Sequence, residues 1–391
     1  MKKLLAAIVT IIGMGAAQAQ SSVTIYGILD QGYYNINSGS SAVKPENGMS
    51  SSAATTSRLG FTGKEDLGGG AYSGFTLESQ ITLSNGATGS SATGGAQSTT
   101  GTSEVFNRQA NIVLGSNQAG ELKLGRQATP LYGNIGQFDA FGVNSLGLTN
   151  YFVAASVLYG TNAITGQNGS TNVGNASSSY TDPNLFANGI SYATPTFFGV
   201  KSTLFTSPGS GSTTTQNTGA IREATVNYSG SDQLAGLNAV VGYGTTDSTA
   251  GGAIAQSRSL IGANYTWNKF KFSASRVYIQ FYNSTFGNGS NTIVGDNTLL
   301  NSIGVKYQVT APIWVGVEYT TAADKNVTAN KSSTLGLGAG YDLSKRTNVY
   351  ALVGSVRNSG ASTVTPIYGS SATGNAGISN LGYVVGLRHS F

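Results

Sequence analysis

The sequence predicts an all-β chain closed into a transmembrane antiparallel β-barrel of 16 strands. Three observations point there. Short segments alternate apolar and polar residues with a period of two. In residues 71–83, Phe75, Leu77, Ile81 and Leu83 share one parity, and Thr76, Glu78, Gln80 and Thr82 share the other. Leu335, Leu337, Ala339 and Tyr341 repeat the pattern, as do Leu381, Tyr383, Val385, Leu387 and Phe391. Such alternation gives a sheet one apolar and one polar face. Second, the connections alternate between tight and long, so one end of each hairpin is short and the other loose. Outer-membrane barrels have short periplasmic turns and long external loops. Third, only 9% of residues are charged, whereas 39% are apolar, Gly numbers 55 and Tyr 20. An ordinary soluble domain carries about 25% charge.

The elements follow in chain order. Met1-Lys2-Lys3, an apolar core from Leu4 to Met14 and Ala17-Gln18-Ala19 predict an export signal cleaved after residue 19. That core is too short to span a bilayer as a helix. Residues 20–391 then form a single barrel domain. Strands are expected over 22–36, 56–66, 71–84, 104–115, 120–127, 186–194, 197–206 and 221–229. The second half continues with 234–244, 257–267, 269–281, 299–309, 313–321, 332–341, 347–357 and 379–391. Short links at 67–70, 116–119, 195–196, 230–233, 268, 310–312 and 342–346 alternate with Ser/Thr/Gly/Asn-rich ones such as 37–55, 85–103 and 358–378. Closure removes the sheet edges, which hydrocarbon cannot solvate. Aromatic residues near strand ends, among them Tyr26, Tyr34, Trp267, Phe270, Trp314, Tyr350 and Phe391, suit two interfacial girdles.

Composition excludes several functions. Without cysteine there is no disulfide framework, thiol nucleophile or cysteine-based metal site. One histidine, His389, gives no triad, and no cofactor or metal is expected. Removing Lys2 and Lys3 lowers the formal charge from +5 to +3, and the basic residues are scattered singly, so nucleic-acid binding is not expected. The glycine runs at 68–70 and 336–340 lack the strand–loop–helix context of a phosphate loop and read as a turn and a small-residue strand.

Several segments resemble the Gram-negative general diffusion porins. They are the start Ser21-Ser22-Val23-Thr24-Ile25-Tyr26-Gly27-Ile28-Leu29-Asp30, Ser57-Arg58-Leu59-Gly60-Phe61-Thr62-Gly63-Lys64-Glu65-Asp66, Phe106-Asn107-Arg108-Gln109, Leu124-Gly125-Arg126-Gln127, and Val385-Gly386-Leu387-Arg388-His389-Ser390-Phe391. They run the length of the chain in the family's order. The resemblance implies a homotrimer in outer-membrane lipid, with one water-filled pore per subunit for small hydrophilic solutes, ions and anions. It also implies a long third loop, here 128–185, folded into the pore, and reads Phe391 as an assembly signal. By the same resemblance Arg58, Arg108 and Arg126 are constriction arginines and Asp139 belongs to the loop tip. Asp30, Lys64, Glu78 and Tyr132 are further pore-lining candidates.

Parity bears on these roles. Leu59 and Phe61 would face lipid, which turns Arg58, Thr62 and Lys64 to water. Arg108 shares the parity of Ile112 and Leu114. Arg126 shares that of Leu122 and Leu124 and needs a kink near Gly125 to face inward. A lipid-facing Arg at mid-membrane would cost about 2–4 kcal/mol. The third loop carries only Asp139 and Asp182 as charges, so a positive wall would be weakly compensated. A substrate-specific channel and a structural or adhesive surface barrel remain as alternatives.

Overall fold

The computed structural model describes residues 22–40, 44–88, 105–142, 144–153, 164–165, 186–208, 220–247, 254–282, 284–286, 291–293, 297–367 and 376–391. The expected leader lies outside them. Sixteen wall strands follow in order: β1 Ser22–Ser38, β2 Arg58–Gly68, β3 Ala71–Thr82, β4 Gln109–Ser116, β5 Gly120–Ala128, β6 Phe186–Ala193, β7 Val200–Ser207 and β8 Ile221–Ser229. The circuit continues through β9 Leu237–Asp247, β10 Ile254–Trp267, β11 Phe270–Phe281, β12 Asn297–Thr310, β13 Ile313–Asp324, β14 Lys331–Asp342, β15 Thr347–Ser359 and β16 Asn380–Ser390. Each pairs antiparallel with its chain neighbours. The ring closes through β1, which holds β2 along residues 22–28 and β16 along residues 28–38. Phe391 extends the seam: its N–H donates to the Gly27 carbonyl at 3.1 Å, and its carbonyl accepts from Gly27 at 3.2 Å. Where β1 rises past β2, Glu46–Ser51 doubles back and pairs with residues 31–36, covering that edge.

The faces sort as the period of two demands. Leu335, Leu337, Tyr341, Val353, Tyr383, Val385 and Leu387 point outward and are exposed. Ser332, Thr334, Asn348, Val356 and Asn380 point inward and are buried. Trp267, Phe270 and Tyr307 stack on the outer face at the short-turn end, with Phe270 and Tyr307 centroids 4.5 Å apart. The girdle reading fails for Tyr26, Tyr34, Trp314 and Tyr350, which turn inward. Tyr26 and Tyr350 donate to Glu78 and Asp30, Tyr34 donates to Glu46, and Trp314 lies under Lys306. Strand enrichment in aromatics holds for both faces, so aromatic position alone did not separate them.

The strand expected over 104–115 begins only at Gln109. Upstream of it the hydrogen bonds are diverted: Asn107 Oδ1 accepts the Gln80 N–H, and the Arg108 N–H goes to the Glu78 carbonyl. Loop residues pack against the inner wall. Leu131, Ile135, Phe138, Leu148 and Tyr151 form one apolar cluster with inward Val240, Leu260, Val277 and Leu300. Phe141 and Leu146 form a second with Trp314, Leu352 and Val384.

Candidate channel constriction

The third connection leaves β5 and enters the barrel. Its first helix, α1 Pro130–Ile135, opens on a proline, which the first turn tolerates because its missing N–H has no helical partner. The Leu131 N–H is taken by Glu223 of β8 at 2.9 Å, and Glu223 is paired with Arg258 of β10 at 3.0 Å, both fully buried. Beyond α1 the loop runs across inward-facing glycines. A Cβ on Gly242 would stand 2.5 Å from Leu131, one on Gly262 2.8 Å from Phe138, and one on Gly338 2.8 Å from Phe141. A Cβ on Gly354 would press into a Leu146 methyl group and Pro366. Gly336 and Gly338 of the run at 336–340 thus belong to the floor on which the loop rests, whereas Gly340 receives Trp314. Two other connections clamp it: Asn144 and Ser145 donate to the carbonyls of Ala54 and Ala53, and Leu146 donates to that of Pro366.

Asp139 lies at the bend of this loop and is 0% exposed. Its carboxylate accepts the N–H groups of Phe141 at 3.0 Å, Gly142 at 2.9 Å and Thr149 at 3.2 Å. It also bonds the side chain of Glu318 on β13, which itself accepts from Ala140, Leu148 and Ser302. Two carboxyl groups bond each other only when one carries the proton. Burial raises the Asp139 carboxyl above its ordinary range, against the stabilising hydrogen bonds of the loop. Asp139 thus fixes the loop to the wall and does not line open water.

Opposite, β2, β3 and the approach to β4 carry the basic cluster. Arg108 Nε donates to Glu78 Oε1 at 2.6 Å, and Arg58 Nε lies 3.7 Å from Glu78 Oε2. The Tyr26 hydroxyl donates to the same carboxylate at 2.9 Å. Arg108 stacks over Phe186 at 4.6 Å, and Phe186 meets Tyr132 of α1 edge-on at 5.5 Å. Arg58, Glu78, Arg108 and Tyr132 are thereby brought together. Arg108 reaches inward because it precedes the regular pleat of β4, so its parity with Ile112 does not apply. Gly125 has φ +115°, a conformation side chains other than glycine's rarely adopt, but the ladder passes through it without a shift of register, so the expected bulge is absent and Arg126 stays opposite the exposed Asn188. Arg126 then donates from Nε to the Asn107 carbonyl at 2.6 Å, beside Arg108.

The remaining candidates lie apart. Asp30 is buried, accepting from Tyr350 at 2.8 Å across from Arg388. Lys64 sits over the Tyr72 ring at 3.9 Å, near the short-turn end. Phe391 lies at the seam. Sequence reasoning did not single out Glu223 and Glu318, and it assigned no face to the strand cations Arg258, Lys271 and Lys306, which are inner-wall groups. The signal was available in strand parity, since each faces inward with its strand's polar set.

A closed sixteen-strand barrel with an inward loop and a charged narrow level is a transmembrane pore protein. Comparison with known proteins narrows that class. The model of the Gram-negative porin family matches residues 5–361, and the chain belongs to that family. Outer membrane porin protein 32 of Delftia acidovorans is 30% identical over 400 residues, covering 100% of both chains. An outer membrane porin protein of Bordetella pertussis is 39% identical over 165 residues, 38% of this chain and 40% of that one. Among solved structures, an anion-selective porin from Comamonas acidovorans superposes with a TM-score of 0.74 at 26% identity, covering 95% of this chain and 100% of that one. Salmonella typhi OmpF, at 14% identity and a TM-score of 0.58 over 94% and 97% of the two chains, shares the fold. The protein is an outer-membrane porin.

Proposed function

We propose that the barrel is a general diffusion channel that passes small hydrophilic solutes and favours anions, with Arg58, Arg108 and Arg126 at its constriction and Asp139 anchoring the loop that narrows it. One observation carries this reading. The mid-barrel carboxylates Asp30, Glu78, Asp139, Glu223 and Glu318 are at most 4% exposed, each engaged by hydrogen bonds or an ion pair. The inward cations Arg58, Lys271, Lys306 and Arg388 keep part of their surface open to the lumen. A passing ion therefore meets unbalanced positive charge in a narrow, low-dielectric passage, which raises local anion concentration. The similar porin from Comamonas acidovorans is anion-selective, which agrees with this sign. Transport is passive and needs no catalytic step or cofactor. Assembly as a homotrimer, cleavage of residues 1–19 and a signalling role for Phe391 rest on the family resemblance.

The test is the reversal potential of the folded protein in a planar bilayer across a KCl gradient. An anion-favouring potential is expected. Arg58→Ala with Arg108→Ala should move it toward cation preference. A cation-favouring native channel would overturn the charge assignment, and a folded protein without conductance would overturn the channel.

A further inference from the structure

We propose that Lys271, Lys306 and Arg388 form a second anion station, on the short-turn side of the inserted loop, that binds phosphate monoesters. It rests on the channel reading above for access, since the solute reaches these groups through the lumen. Register carries the argument. Lys271 of β11 is directly opposite Lys306 of β12, and Lys306 is opposite Gly316 of β13. Both ammonium groups lie inside the barrel. Lys271 Nζ donates to the Gln137 carbonyl of the loop at 3.2 Å, and Lys306 Nζ stands 4.3 Å from the centre of the Trp314 ring. Arg388 of β16 donates to Thr55 Oγ1 at 3.2 Å, and Lys306 lies within range of the charges of both Lys271 and Arg388. Like charges directly opposite on neighbouring strands are destabilising. Among the described residues, none of these three cations is in an ion pair. By contrast, Arg108 and Arg258 inside the same barrel each hold a carboxylate. An anion from solution is the group that relieves the Lys271–Lys306 repulsion.

The loop sets the level of the station. Ala140 sits over Gly304, which precedes Lys306 on the same face of β12, and Phe141 sits over Gly316, the partner of Lys306. The Phe141 ring also meets Trp314 at 6.3 Å. The loop therefore roofs the cluster, and the short turns after Thr310 and Asp342 lie below it. Each of the three cations is partly exposed. The nearby carboxylates are withdrawn: Asp30, opposite Arg388, is buried and accepts from Tyr350 and Ala54, and Asp139, which Lys271 feels, is buried in the loop. Asp342, which Lys306 feels, stands at the end of β14. A solute beneath the loop thus meets N–H donors from three strands. A phosphate monoester offers three terminal oxygens and a charge of about −1.5 to −2 near neutral pH, whereas a carboxylate offers two oxygens in one plane. Lysine binds phosphate as a point charge with rotatable donors.

Trp314 is the reporter, because Lys306 lies over its ring. The sequence holds two tryptophans, and the other, Trp267, is exposed on the outer wall, so Trp267→Phe isolates the signal. The folded full chain in detergent is titrated with glycerol phosphate and with glycerol, at low salt, where charges are least screened. Glycerol phosphate should change Trp314 emission saturably, and glycerol should not. Lys271→Gln and Arg388→Gln leave the Lys306–Trp314 contact in place, and each should raise the half-saturating concentration about tenfold, the worth of one charge-assisted hydrogen bond. Lys345→Gln, in the turn after β14, should leave it unchanged. Should Trp267→Phe fail to fold, the native chain is read in a planar bilayer. There glycerol phosphate should reduce the chloride current, and Lys306→Gln should weaken that block about tenfold. A response that does not saturate, an equal response to glycerol, or half-saturation unmoved by Lys271→Gln and Arg388→Gln would overturn the station. Saturable binding by a folded chain that carries no current would uphold the station and overturn the diffusion channel.

Discussion

The two inner walls of the barrel are made by opposite means. Along β2–β4 the wall projects long charged side chains, and Glu78 gathers Tyr26, Arg58 and Arg108 around one carboxylate. Along β9–β16 the wall withholds side chains, and glycines receive Leu131, Phe138, Phe141 and Leu146 of the inserted loop. The first wall concentrates the arginine cluster, and the second, which also carries Lys271, Lys306 and Arg388, seats the loop that fixes the width. Charge and calibre can still be altered separately, because the glycine seats and the cations are different positions.

The comparison breaks most severely at Glu78. Glu78→Ala leaves Arg108, 6% exposed, without its partner, and removing one member of a buried pair costs about 3–5 kcal/mol. Denaturant unfolding of the variant should show that loss, while its reversal potential becomes more anion-favouring. On the other wall, Leu146→Ala should cost about 2–5 kcal/mol through the cavity it leaves, with little change in ion preference. Gly338→Val inserts methyl groups against Phe141 and should cost about 1–3 kcal/mol. Its single-channel conductance should change while the sign of selectivity does not. A shift of selectivity by either loop-side variant would show that field and width are not separable.

The smallest effect concerns Asp139, whose carboxyl titrates higher in the folded loop than in the unfolded chain. Its contribution favours the docked loop fully at pH values below the unfolded carboxylate range, near about 4, and is lost as pH rises through the raised folded value. Current recordings over that window should show more frequent excursions of the open level as pH rises. Asp139→Asn removes one of the two paired carboxyls and should weaken the trend, and Asp139→Asn with Glu318→Gln should flatten it.

Strand number, order and the alternation of turns and loops were legible because lipid enforces a strict period of two on the outer face. Arg58 was legible for the same reason, lying within the regular pleat of β2. Arg108 was not, since it precedes its strand, where parity carries no information; at Arg126 the ladder runs on through Gly125 without a shift, so the bulge the sequence called for is absent. Inward Val384 and the glycines at 336 and 338 break the polar-inside rule, and their reason lies some two hundred residues away in Phe141 and Leu146. Asp139 was recognisable as part of the loop tip, but its pairing with Glu318 depends on how the loop docks, which no local pattern encodes.

The bare floor beneath the loop has a consequence for how such a passage can be regauged. Each missing Cβ is a seat, and a single carbon added there works as a shim. A methyl at Gly304 or Gly316, where Ala140 and Phe141 press against the wall, would lift that stretch of loop without touching its own sequence. The bore is thus adjustable in steps smaller than a water molecule by changes at wall positions that the loop itself covers.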